Sequence, residues 1–164
     1  MAKDDEMNKI EQALWQEDSA RGVADSNHLI EQYKLYVEMA DRISQRRGST
    51  NTFFLTFNTA IVAALAGFYE HVPSEISIAM YLAATIMAIT WAVLLRSYRN
   101  LNTAKFEVIG ELEKRLPAQI FYAAEWKALG EGKDYKKYIP LSVVETTVPV
   151  IFFTIYIYLF LQSL

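Results

Sequence analysis

Three stretches of the chain carry no charged side chain: Asn51–Tyr69 (NTFFLTFNTAIVAALAGFY), Ile76–Leu95 (ISIAMYLAATIMAITWAVLL) and Thr146–Leu164 (TTVPVIFFTIYIYLFLQSL). A helix rises ~1.5 Å per residue, so roughly 20 apolar residues cross a hydrocarbon layer ~30 Å thick. All three stretches have that length. A soluble bundle would keep one polar face on each helix, but here the apolar character runs all the way round. The pattern predicts an all-α membrane protein with three transmembrane helices. About fifty mostly polar residues precede the first stretch, so that stretch is not expected to be a secretory signal.

The intervening segments read as helical extensions of the spans. A short amphipathic segment occupies 1–25, with Met7, Ile10 and Leu14 on one face and a polar linker (SARGVADS) after it. Ser26 is a candidate N-cap for a helix over 26–50 in which Ile30, Tyr33, Val37 and Ala40 recur at three- and four-residue steps. Span one then covers 51–69, a short hairpin 70–75 and span two 76–95. The segment 96–141 begins as a continuation of span two, with Leu101, Ala104, Val108 and Leu112 in register, to about Arg115. Pro117 stops or kinks it. A further helical piece is expected over Ala118–Leu129, a turn at Gly130–Gly132, and span three over 142–164.

Charge then orients the spans. Seven Lys and Arg lie in 1–50 and nine in 96–140, which together are all sixteen in the chain. The hairpin has none. Because Lys and Arg stay on the cytoplasmic side, the expected topology has the N-terminus and the large loop inside and the C-terminus outside, in a bacterial inner membrane. Arg46, Arg47, Arg96 and Arg99 flank the spans, where lipid headgroups can meet them. Trp91 and Tyr98 are expected near the interface as aromatic anchors. The net charge of −3 argues against DNA packaging.

Candidate chemistry is sparse. There is no cysteine, and the two histidines, His28 and His71, have no ligand-spaced neighbour. No metal, cofactor or catalytic constellation is expected, and the chain does not read as an enzyme. Gly130-Glu-Gly132 is too short for a phosphate loop. Glu111 and Glu113 point to different sides of their helix and read as a solvated face. The polar side chains of the spans are more telling. Thr52, Thr56 and Thr59 share one face of span one, and Asn51 and Asn58 lie on an adjacent one. Amides are costly against lipid, so Asn58 points to an oligomer that would shield it. Two readings stand: these residues and the small ridge Ala84, Ala88, Ala92 knit helices together, or the Asn/Thr face lines a conduit on an oligomer axis. Glu145 is expected in the first turn of span three, capping it or pairing with a juxtamembrane Arg. Arg42, Arg46, Arg47, Arg96, Arg99 and Lys105 could anchor acidic lipids or, repeated around an oligomer, hold an anionic ligand such as a nucleotide or oligonucleotide.

The runs YRNLNTAKFEVIGELEKRLP (Tyr98–Pro117) and EWKALGEGKDYKKYIPLSVVETTVP (Glu125–Pro149), with YKLYVEMADRISQRRGSTNTFFLTFNTAIV (Tyr33–Val62), resemble the RipA-like family of small octameric bacterial membrane proteins. That family is similar in layout to SLATT-type transmembrane modules. The resemblance covers roughly 26–160 and leaves 1–25 outside. It implies a homo-oligomeric ring, octameric in subunit number, and a gated pore or membrane-disrupting effector of antiviral (abortive-infection) defence, governed through its cytoplasmic region by a ligand or a signalling enzyme. The alternative is a non-conducting scaffold that recruits cytoplasmic partners or organises lipid.

Overall fold

The computed structural model describes residues 2–15, 26–68, 73–131 and 136–163. Among them the structure is helical: α1 (Ala2–Leu14), α2 (Ser26–Phe68), α3 (Ser74–Glu113), a π-helical turn Ile120–Glu125 continued by α4 (Trp126–Ala128), and α5 (Leu141–Gln162). Three of these helices, α2, α3 and α5, are long and apolar enough to cross a membrane. Most of the linker ahead of Ser26, positions 70–72 of the hairpin, Gly132 and Tyr135 lie outside the described residues.

The chain divides into two compact units, Gln45–Arg99 with Ile139–Leu164, and Met1–Ser44 with Asn100–Tyr138. The first is the three-span unit. Its core joins Leu65 of α2, Tyr81, Ala84 and Ala88 of α3 and Tyr156 of α5. A second cluster joins Phe54, Trp91 and Leu95, and Phe152 packs on both. Lipid is as apolar as leucine, so burying leucine does not drive span association; close packing and hydrogen bonds do. Ala84 and Ala88, each 1% exposed, supply the closeness. The stacked rings of Phe54 and Trp91 (5.9 Å), then Trp91–Phe152 (6.0 Å) and Phe152–Tyr156 (6.2 Å), supply the area. Trp91 is therefore a core residue and not an interfacial anchor: it is fully enclosed. Pro149 is buried inside α5. Lacking an N–H, it leaves the Glu145 carbonyl without the usual helical donor.

The second unit holds α1, the first part of α2, the last part of α3 and the segment after it. Trp15 lies against Arg115, with the guanidinium carbon 3.3 Å from the ring centroid. The expected α2 stripe faces inward, Ala40 most completely. The α3 stripe is displaced from its expected positions. Leu101 and Ala104 are exposed, while Lys105, Ile109 and Leu112 are buried. Lys105 can take an inward position because its aliphatic stem packs and its ammonium sits 4.3 Å over the Tyr36 ring. The reading of Glu111 and Glu113 as a solvated face is overturned, for they are 3% and 0% exposed. The chain reverses after Leu116 and covers the end of α3. Gly130 then turns with a φ of 79°, and Glu131 follows it into the left-handed region at 55°.

Candidate functional site: the polar groups of the first span

Span one distributes its polar side chains between two faces. Phe54, Asn58, Ile61 and Leu65, at three- and four-residue steps, turn into the three-span unit. Asn58 is 0% exposed. Its amide donates to the Phe54 carbonyl (2.8 Å), and its Oδ1 accepts from the Tyr156 hydroxyl (3.0 Å). Asn51 Oδ1 accepts from the Trp91 indole N–H at 3.1 Å. Both amides are thus satisfied inside a single subunit. Asn58 needs no oligomer to shield it, contrary to the expectation from sequence. The two bonds instead fix the register of span one against spans two and three.

The threonines turn the other way. Thr52, Thr56 and Thr59 are exposed on the outside of this unit, followed by Ala60, Ala63 and Gly67. A threonine in a helix can close its hydroxyl on the carbonyl four residues back. Thr59, Thr85, Thr90, Thr147 and Thr154 all do so, at 2.7 to 2.9 Å. Thr52 and Thr56 make no such bond among the described residues, and their hydroxyls stay open. Exposed bulky side chains accompany them on span one (Phe53, Leu55 and Phe57), as on span two (Leu82, Ile86 and Val93) and span three (Val150, Tyr158 and Leu161).

The basic residues are not used alike. In the three-span unit, Arg47 meets Glu145, Nε to Oε2 at 3.3 Å, with both side chains largely enclosed. The Arg47 Nε makes no aligned hydrogen bond, so this is a contact of charges. Glu145 is the fifth residue of α5, past its first turn, and ties span three to span one. Thr50 and Tyr98 add a 3.4 Å hydroxyl contact between spans one and two. Arg46, Arg96 and Arg99 are exposed and without a side-chain partner among the described residues. In the other unit, Arg42 pairs with Glu38 at 2.8 Å on the surface, and Lys105 is enclosed beside Tyr36. Arg47 and Lys105 are therefore already engaged within the subunit.

Sequence reasoning missed a node in the second unit. The enclosed Glu113 carboxylate accepts from the Tyr33 hydroxyl (2.9 Å) and from the Phe121 backbone N–H (3.0 Å), joining α2, the end of α3 and the π-helical turn. Burial, and then the bond to Glu113 and its charge, push the Tyr33 phenol up to about 12. Glu111 is held by Lys114 through both oxygens, at 2.7 and 2.8 Å. Tyr33 belonged to a legible stripe; the signal for Glu113 was the Pro117 break just beyond it, which brings the chain back over the helix end. No group of three metal-capable side chains occurs among the described residues.

No curated protein and no solved structure matches the chain. The sequence profile of the octameric membrane protein family (8xMP) matches residues 30–164, which takes in all three spans and most of the second unit, and the chain belongs to that family.

Proposed function

We propose that eight copies of this chain enclose a gated conducting path through the membrane, with span one as its wall. The observation that carries this reading is the pair of open hydroxyls at Thr52 and Thr56, exposed on the outside of the three-span unit while Thr59, Thr85, Thr90, Thr147 and Thr154 close theirs on the backbone. Hydroxyls facing lipid lack partners; hydroxyls facing an axial path gain water. Control of the path is assigned to the cytoplasmic part of the chain, as in the resemblance to the RipA-like and SLATT-type proteins. The all-or-none partition of basic residues supports an N-inside, C-outside topology in the inner membrane. Resemblance to the RipA-like and SLATT-type proteins supports a role in antiviral defence under a ligand or partner enzyme. Exposed Arg46, Arg96 and Arg99 are the basic side chains left open to lipid headgroups or an anionic ligand such as a nucleotide.

The test is ion flux from liposomes holding the purified octamer, alone and with candidate nucleotides. Flux that falls severalfold in Thr56→Leu, at unchanged octamer mass, supports the proposal. No flux under any condition, with Thr52 and Thr56 variants neutral in cells, sinks it. The satisfied Asn51 and Asn58 would then favour a non-conducting scaffold, because the interior polar groups already have a purely structural use.

A further inference from the structure

Exposed apolar side chains mean different things in the two units. Around the three spans, lipid covers them at no cost. The second unit cannot lie in hydrocarbon: α2 alone carries Glu31, Lys34, Glu38, Asp41 and Arg42 there within about three turns. In water, a contiguous apolar patch marks contact with another protein surface. Leu35 is 59% exposed, Leu101 48% and Met39 43%. Ala104 is exposed beside them, and Ile43 and Val108 are half-buried.

These six positions form one patch. At about 100° per residue, Leu35, Met39 and Ile43 fall within about 80° of one another on α2, and between residues 29 and 45 only Gln32 shares their arc. On α3, Leu101, Ala104 and Val108 fall within about 60°, and nothing else between residues 98 and 114 shares theirs. Tyr33 meets Glu113 and Tyr36 meets Lys105, so the two helices run antiparallel with these residues between them. Right-handed helices facing each other in that way put both arcs on the same side of the pair, at matching levels. Phe106, 40% exposed, projects from the opposite side, where α2 carries Lys34 and Asp41. It leaves α3 from the turn between Ala104 and Val108. The other large exposed apolar side chains described in this unit, Ile120 and Trp126, stand beyond the end of α3.

A closed ring of copies inserted the same way round repeats one heterologous contact. Rotation about an axis along the helices leaves height unchanged. The two surfaces that meet must therefore differ, lie on opposite sides of a copy and occupy the same turns. The patch and Phe106 meet all three conditions. We propose that the Leu35–Met39–Ile43 and Leu101–Ala104–Val108 side of one copy receives Phe106 of the next, so that the second units close a collar of eight. The occupant is a second copy because the chain belongs to an octameric family, and because α1, in the same unit, leaves the patch uncovered. The contact is independent of whether the octamer conducts.

The chain has no cysteine, so introduced pairs report contact cleanly. In membranes holding the full chain, a short bifunctional thiol reagent is expected to link the double variant Met39→Cys, Phe106→Cys into a denaturation-resistant ladder reaching eight subunits. Each single variant stays monomeric, because the patch meets Phe106 and never itself, and the two singles expressed together stop at dimers. Leu101→Cys, Phe106→Cys gives the same ladder and serves if Met39 variants fold poorly. Glu31→Cys, Phe106→Cys, with the first cysteine on the back of α2, gives none. Absence of a ladder from both patch pairs overturns the proposal, and so do dimers from Met39→Cys alone. A ladder without ion flux leaves this contact standing and removes the conducting path; flux without a ladder does the reverse.

Discussion

Asn51 and Asn58 face inward from span one, and Thr52 and Thr56, their close neighbours in sequence, face outward. The inner pair is used within the subunit: each amide oxygen is tied to an aromatic side chain of another span at 3.0 to 3.1 Å. The outer pair is unused within the subunit. The difference teaches that polarity in a membrane helix has two distinct meanings, and that side-chain partners decide which applies. The inner amides specify how three spans fit together. The outer hydroxyls point to something beyond the subunit.

The inner side of this comparison breaks most severely at Trp91. It is 0% exposed, stacks on Phe54 and donates to Asn51. Trp91→Ala is expected to cost ~3–5 kcal/mol, seen as a large drop in the unfolding midpoint of the detergent-solubilised protein. Next is the Arg47–Glu145 contact. Removing one partner leaves a mostly enclosed charge alone, so Arg47→Leu or Glu145→Leu should each cost roughly 2–4 kcal/mol, and the double variant clearly less than the sum. A double-mutant cycle on thermal stability checks this; additive losses would mean that the two charges are independent.

Tyr33 offers a smaller, pH-dependent effect in the second unit. Tyr33→Phe is expected to cost ~1 kcal/mol at neutral pH by removing one donor from Glu113. Its phenol is raised to about 12 when folded, from a usual 10.0. The folded state thus holds this proton more tightly than the unfolded one. That contribution is complete below about pH 10 and is lost as pH rises from there towards 12. The stability gap between wild type and Tyr33→Phe should therefore be constant from pH 7 to 9 and narrow above 10. The smallest effect belongs to the outer pair. Thr56→Val should change subunit stability by less than ~0.5 kcal/mol, whereas Asn58→Leu, nearly isosteric, should lose ~1–3 kcal/mol by stripping Tyr156 of its side-chain acceptor. Equal losses from the two would erase the contrast.

Much of this was legible in the chain. Three uncharged stretches of bilayer length read as spans, and the family match accords with their being parts of an octameric membrane protein. Periodicity located the Thr52–Thr56–Thr59 face, and Glu145 was recognised as the acid near a span boundary. Direction was harder to read. Spacing places Asn58 on a face adjacent to the threonines, but only Tyr156, 98 residues away, shows that this face is interior. Trp91 resembled an interfacial aromatic because its position near the span end is right for one; its burial depends on Phe54 and Phe152. Glu111 and Glu113 looked solvated because helical periodicity describes one helix in water, while the end of α3 is wrapped by the segment that follows it. Lys105 took an inward place that an apolar pattern would have denied it. In each case the missing term was a tertiary partner, which local pattern does not encode.

The central claim, that the outer hydroxyls of span one face an aqueous path in the octamer, is tested most directly by water access. Single cysteines at Thr52, Thr56, Ile86 and Val150, in the otherwise cysteine-free chain, would be exposed in intact membranes to a small, charged, membrane-impermeant thiol reagent. The account predicts modification at 52 and 56 at rates well above those at 86 and 150, which it places against lipid. Protection of Thr56→Cys to the same extent as Ile86→Cys, in protein of octameric mass and under every condition that alters the second unit, would contradict it.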